Sequence, residues 1–246
     1  GEPLRLGLDL YKLAFARGDP VKARTVSKGD RQKGKAQELA LGYQGGANAF
    51  LVFAKNLGFF VDAREAEQLV KDWRSSNPEI VKNWWALQDA AINATLNPGV
   101  VYPAAQGKVK FKMEGGVLYC NMPSGRNLCY PYAEVVWEER FGKERPCLQY
   151  QGINSVTKQW GVQSLYGGKL CENIVQALAR DLMVGAMFRA KRAGFKLILT
   201  VHDELLTLDE NPEREHELKV IMSTVPNWAQ GLPLAAECWS DKRYVK

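Results

Sequence analysis

The chain has 246 residues, 46% hydrophobic and 24% charged, which suffices for a sizeable core in one large domain or two small ones and excludes a disordered or low-complexity class. A formal charge of +6 and a pI near 9.0 suit a nucleic-acid partner without requiring one. No apolar run is long enough to cross a bilayer and no signal-peptide pattern opens the chain, while five scattered cysteines without a CxxC pair suggest neither a zinc site nor a disulfide framework and read as reduced thiols in a cytosolic protein.

The chain opens on Gly1 with no initiating Met, which reads as a cleavage scar or a processed terminus of something larger. Asp9 to Arg17 predicts a short amphipathic helix stopped at Gly18–Pro20. Asp30 predicts an N-cap for a helix from Arg31 onward, and glycines 42, 45 and 46 predict a break at its far end. Further helices are expected from Ala47 to Leu57, over "DAREAEQLVKDWRSS" from Asp62, and over "NPEIVKNWWALQDAAINATLNPG", with Pro78 in its first turn. Period-two alternation around Gly115–Gly116 and Ser124–Gly125 predicts a β-hairpin or meander. Residues 133–160 carry no regular pattern and read as irregular.

Tyr166 to Ala193 predicts a long helix capped by Gly194. "FKLILTV" reads as a buried strand and "ELLTLDE" as its hairpin partner, with His202–Asp203 at the turn. "NPEREHELKVIMSTV" predicts a helix with Pro212 at its start, and "GLPLAAECW" a last strand. No internal repeat is present. The fold class is α+β: helices first, then a small antiparallel sheet with packed helices, in two subdomains, 1–99 and 100–246.

Two constellations carry chemistry. Arg31, Lys35, Leu39 and Tyr43 follow one another at intervals of one helical turn, along one face. Stacked cations on a helix face suit a triphosphate; a solvated basic face is the simpler reading of R-x-x-x-K alone. The glycines that follow let backbone approach a ligand closely. In "TVHDELL", His202, Asp203 and Glu204 sit where a hairpin would hold two carboxylates rigidly, as Mg²⁺ binding needs. An Asp in an ordinary hairpin turn is the alternative.

Taken together, these segments resemble family A DNA polymerases of the phage type. "RQKGKAQELALGYQGG" is similar to the nucleotide-binding fingers helix of pattern R-x-x-x-K-x-x-x-aromatic-x-x-x-Y-G. "VHDE" resembles the palm motif with a metal-binding Asp, and "LYGGKLCENIVQALARDLM" the palm helix before it. "MPSGRNLCYP" resembles the segment ahead of that helix, and "GLPLAAECWSDKRY" the closing strand. The resemblance covers nearly the whole chain in the family's order. It implies helical fingers in 1–99 with the nucleotide-binding helix at 31–43, and the remaining fingers and palm in 100–246, with the palm helix at 167–193 and the metal-site hairpin at 195–209.

By this resemblance Arg31 and Lys35 would grip the β- and γ-phosphates of an incoming dNTP, and Lys35 would also protonate the leaving pyrophosphate. Tyr43 would lie near the templating base or the insertion site, and Tyr11 would occupy a phosphate-contacting position that is often His. Asp203 would bind the catalytic Mg²⁺ ions, with Glu204 in support and His202 near the primer terminus. Gln176 would face the primer–template duplex, with Lys169 and Asn173 nearby. Arg126 would contact DNA backbone or support the fold. Two departures stand out. Leu39 replaces the aromatic ring that packs on the nucleotide, and the upstream D-[YF]-S-x-I-E-x-R strand has no counterpart, Asp9 being the one tempting stand-in. The expectation is a C-terminal fingers and palm portion of a DNA polymerase, acting in the cytoplasm of a bacterium or phage-infected cell. An N-terminal polymerase portion would supply the other Asp and the thumb. The alternative is a non-catalytic DNA-binding or interaction module derived from a polymerase.

Overall fold

Capping side chains set the first helices. The computed structural model describes residues 9–140 and 142–244, Arg140 by its backbone alone, so the reading of Gly1 lies outside them. Helix α1 (Leu10–Phe15) starts where Asp9 accepts the N–H groups of Tyr11 and Lys12. Asp19 does the same for α2 (Pro20–Thr25), with Pro20 in its first turn. The sequence reading stopped at Pro20 and missed α2, because Asp-Pro marks a helix start as readily as a stop. Helix α3 (Lys28–Leu41) begins at Ser27, not at Asp30. Ser27 accepts the Asp30 N–H and donates to its carboxylate at 2.7 Å, so Asp30 is the return half of a capping pair.

Helices α4 (Ala47–Asn56), α5 (Ala63–Ser76) and α6 (Pro78–Leu96) follow as the pattern predicts. Ala36, Ala40 and Leu41 of α3, Phe50 and Ala54 of α4, Ala66, Val70 and Trp73 of α5, and Trp84 of α6 form one core. Trp73 and Trp84 stack with ring centroids 5.8 Å apart, a geometry that adds about 1 kcal/mol beyond the area it buries.

Strands β1 (Val101–Ala104), β2 (Val109–Glu114), β3 (Val117–Asn121) and β4 (Asn127–Pro131) form an antiparallel meander. Gly115 and Gly116, both at positive φ, make the two-residue turn between Glu114 and Val117. Buried Val109, Phe111 and Met113 alternate with more exposed Lys110, Lys112 and Glu114, and α6 packs on β1, β2 and β3.

The stretch read as irregular is instead a second antiparallel sheet, β5 (Glu134–Arg140), β6 (Lys143–Ile153) and β7 (Trp160–Leu165). Val135, Leu148 and Leu165 lie opposite one another across it. Pro146 within β6 and the charged run "EERFGKER" hid this sheet from a periodicity reading. Tyr130 of β4 meets Tyr150 of β6 edge to face at 5.1 Å.

Helix α7 (Gly167–Arg192) ends at Gly194, φ +87°, where the Phe195 N–H reaches the Ala190 carbonyl. The chain divides inside this helix into two compact units, up to Ile174 and from Val175. The passage from helices to strands falls earlier, between Leu96 and Val101.

In the second unit β8 (Lys196–Val201) pairs with β9 (Glu204–Leu208), and α8 (Glu215–Ser223) follows a turn of 3₁₀ helix, Pro212–Arg214. Ala190, Phe195 and Leu218 form its small core. Contrary to expectation, β8 is not a buried strand: Ile198 and Leu199 are 53% and 49% exposed. A bulge between Leu197 and Leu199 breaks the alternation that would hide them. Nor is there a strand at 231–239; these residues are a turn and irregular coil without ladder pairing. Among the described residues no helix is long and apolar enough to cross a membrane.

Candidate functional site

Helix α1 lies across α3 at Gly34, where a Cβ would run into the Tyr11 carbonyl oxygen. That close crossing gathers a group of side chains from both helices. The Arg31 guanidinium carbon stands 4.9 Å from the Tyr11 ring centroid, and Lys35 Nζ lies 6.0 Å from the same ring. Arg31 also donates its Nε–H to Asp9 Oδ2 at 2.7 Å. Burial raises the Asp9 carboxyl, but Arg31 and the backbone N–H groups of Lys12 and Tyr11 outweigh it and hold the group below the ordinary carboxylate range. Asp9 thus serves Arg31 and the start of α1; the sequence reading weighed it only as a stand-in metal ligand and set it aside.

Farther along α3 Leu39 is exposed, whereas Tyr43, expected on the helix, lies past its end at Leu41, in a turn, and is half-buried. Burial first, then Cys171, Glu172 and Tyr11, push the Tyr43 phenol up. Its loop is fastened on several sides. Trp84 Nε1 donates to the Gly42 carbonyl at 3.0 Å and Arg74 Nη2 to the Gly45 carbonyl at 3.2 Å. Gln44, at φ +70°, accepts the Gly168 N–H at 2.7 Å, and Gln88 accepts the Gly167 N–H at 3.0 Å. Two glutamine side chains therefore serve the first N–H groups of α7. Gly167 and Gly168 permit it, since a Cβ on either would collide with the Trp84 or Tyr43 carbonyl. Sequence reasoning missed Gln44, Gln88 and Trp84. The one available signal was Gly-Gly opening a helix without a usual cap.

The expected DNA-facing residues differ in state. Lys169 pairs with Glu172 at 3.0 Å, and Asn173 donates to the Tyr130 hydroxyl at 3.1 Å. Gln176 is exposed on α7, and Arg126 is exposed between β3 and β4.

In the second unit His202 and Asp203 form the two-residue connection between Val201 and Glu204, as expected, with His202 at φ +53°. Both are exposed. Glu204 accepts a hydrogen bond from the Tyr244 hydroxyl at 2.7 Å, which pushes that phenol up. Two adjacent carboxylates are the oxygen donors Mg²⁺ takes. One of them is engaged by Tyr244, and no group of three or more His, Cys, Asp or Glu gathers as a metal-ligand set among the described residues. Arg31, Lys35, Tyr11 and Tyr43 belong to the first unit, and His202, Asp203 and Glu204 to the second.

No protein-family model matches the chain. Over 241 residues, 96% of its length, the chain is 40% identical to a DNA polymerase of Bacillus phage SP02, and it spans 36% of that relative's length.

Proposed function

We propose that this chain forms the fingers and part of the palm of a family A, template-directed DNA polymerase. Its substrates are dNTPs and primer–template DNA. The observation that carries the reading is the Arg31–Lys35–Tyr11 cluster: two cations one turn apart, both against one ring, on the helix whose pattern matches the nucleotide-binding helix. Similarity to a phage DNA polymerase supports it.

In this reading Arg31 and Lys35 bind and orient the triphosphate, and Lys35 Nζ donates a proton to the departing pyrophosphate oxygen. Tyr43, fixed by its braced loop, sits at the templating base. His202 and Asp203 present their side chains to the primer terminus from the hairpin turn. Asp203, with Glu204 beside it, would hold Mg²⁺, together with a carboxylate from a polymerase portion outside this chain, which would also bring the thumb. When bound, Mg²⁺ neutralises charge on the phosphates and favours the ionised primer hydroxyl. The other steps are positioning and charge stabilisation by side chains, which is most of what phosphoryl transfer asks of a protein.

The test is titration of a fluorescent dNTP into the chain with primer–template present, followed by primer extension in Mg²⁺. Arg31→Ala and Lys35→Ala should each weaken dNTP binding about tenfold or more, the scale of a charge-assisted hydrogen bond. Unchanged affinity in both would remove the nucleotide site. The chain alone should not extend a primer. With the rest of the polymerase supplied, extension abolished by Asp203→Ala supports the catalytic assignment and extension indifferent to it refutes Asp203, while extension by the chain alone refutes the need for an outside carboxylate. Duplex binding that is salt-steep but blind to dNTP would favour a non-catalytic DNA-binding module.

A further inference from the structure

We infer that Asp9 is a positioning residue for the triphosphate: it holds Arg31 by its Nε edge, so that the two terminal guanidinium nitrogens face the phosphates. The inference rests on the nucleotide-binding reading of Arg31.

The Asp9 carboxylate is oriented independently of Arg31. Its Oδ1 accepts the N–H groups of Tyr11 and Lys12 at 2.9 and 3.1 Å, leaving Oδ2 for Arg31 Nε at 2.7 Å. The guanidinium is held a second way, by the Tyr11 ring 4.9 Å from its central carbon. One edge and one face of the fork are thereby used. Neither Nη1 nor Nη2 has a hydrogen-bond partner among the described residues. A phosphate takes two parallel N–H donors from such a free end. The crossing at Gly34 keeps Asp9 and Tyr11 in register with Arg31, since both ride on α1.

A carboxylate near a phosphate site also repels the ligand. Asp9 engages the guanidinium at Nε, and about a third of its side chain is exposed. Solvent screens the repulsion from so exposed a carboxylate. Arginine, by contrast, has among the largest side-chain entropies to lose on ordering. Prepaying that cost outweighs a screened repulsion, and Asp9 strengthens binding.

The experiment is calorimetric titration of the purified chain with tripolyphosphate and with dATP. Asp9→Asn, Arg31→Ala, the double variant and Asp9→Ser would be compared with wild type. Asn and Ser cap helices as well as Asp does, so α1 is retained while the ion pair is lost. Two replacements guard against one folding poorly. Asp9→Asn should weaken tripolyphosphate binding about tenfold and have no further effect in the Arg31→Ala background. Unchanged or tighter binding in Asp9→Asn would overturn the inference, making Asp9 a bystander or a competitor of phosphate. An equal loss with and without Arg31 would overturn it as well, by revealing a general effect on α1. Arg31→Ala binding like wild type would instead sink the nucleotide reading beneath it.

Discussion

Glu38 sits on α3 just before Leu39, partly buried, accepting the Trp73 indole N–H at 3.0 Å. Burial pushes its carboxyl up from the ordinary value, and the Trp73 hydrogen bond only partly offsets this. A raised folded value means that the folded protein holds the proton more tightly than the unfolded chain. The resulting stabilisation is complete below the unfolded value and is lost as pH rises through the folded one. Glu38→Gln removes the titration and keeps an acceptor for Trp73. Thermal melts should therefore show the variant melting above wild type at pH 8, with the gap closing as pH falls to 4. A variant less stable at pH 8 would mean that the charge itself stabilises α3. Residues such as these mark the limit of sequence reading. The Arg31–Lys35 pair was legible because helical spacing alone aligns it, although Tyr43, read as the next in that row, falls in the turn past Leu41. The partners of that row were not, since Asp9 reaches Arg31 across 22 residues and Trp73 reaches Glu38 across 35.

Helix α7 shows how one residue type plays opposite roles within one element. At Gly168 a Cβ would collide with the Tyr43 carbonyl and Gln44 Cβ, whereas at Gly185 it would meet only Arg189 Nη1, at 3.4 Å. Gly168→Ala should therefore cost about 1–3 kcal/mol, the usual scale of overpacking. It should also disturb Tyr43 fluorescence, because the loop that carries Tyr43 must yield. Gly185→Ala should gain about 0.5–1 kcal/mol, the ordinary preference for Ala inside a helix. Urea denaturation of the two variants beside wild type decides, and a loss in both would point to helix packing that the backbone clash does not explain. Among elements, legibility followed local signals. Gly115–Gly116 between alternating runs announced the meander, and Gly194 announced the end of α7. Strand β8 was legible as a strand, but its bulge at Ile198 was not, because a bulge leaves no mark on composition. The expected strand at 231–239 alternates well enough but has no ladder partner among the described residues, and strands are made by partners.

The two compact units differ in how much core supports them, and that difference bears on catalysis. In the first, the β2–β3 ladder includes Phe111 and Cys120, both fully buried. In the second, the hairpin that carries Asp203 pairs with no other strand among the described residues, and Ile198, Leu199 and Leu208 stand open to solvent. A two-stranded ladder is marginal by itself, and the small Ala190–Phe195–Leu218 core is what supports it here. Catalytic carboxylates, however, need to be held rigidly. In the proposed polymerase reading, that support would come from the portion outside this chain; the chain spans 36% of its phage relative. Native-state hydrogen exchange should then find the Leu199 and Leu206 amides exchanging about 100-fold or more faster than those of Phe111 and Cys120, as local opening at the weakly supported end of a structure predicts. Exposed-hydrophobe dye should bind the chain, and Ile198→Lys should reduce that binding while leaving β2–β3 protection unchanged. Equal protection in the two ladders, without dye binding, would mean that the hairpin is rigid on its own. Asp203 and Glu204 would then be held firmly without outside support, and the case for a covering strand would fall.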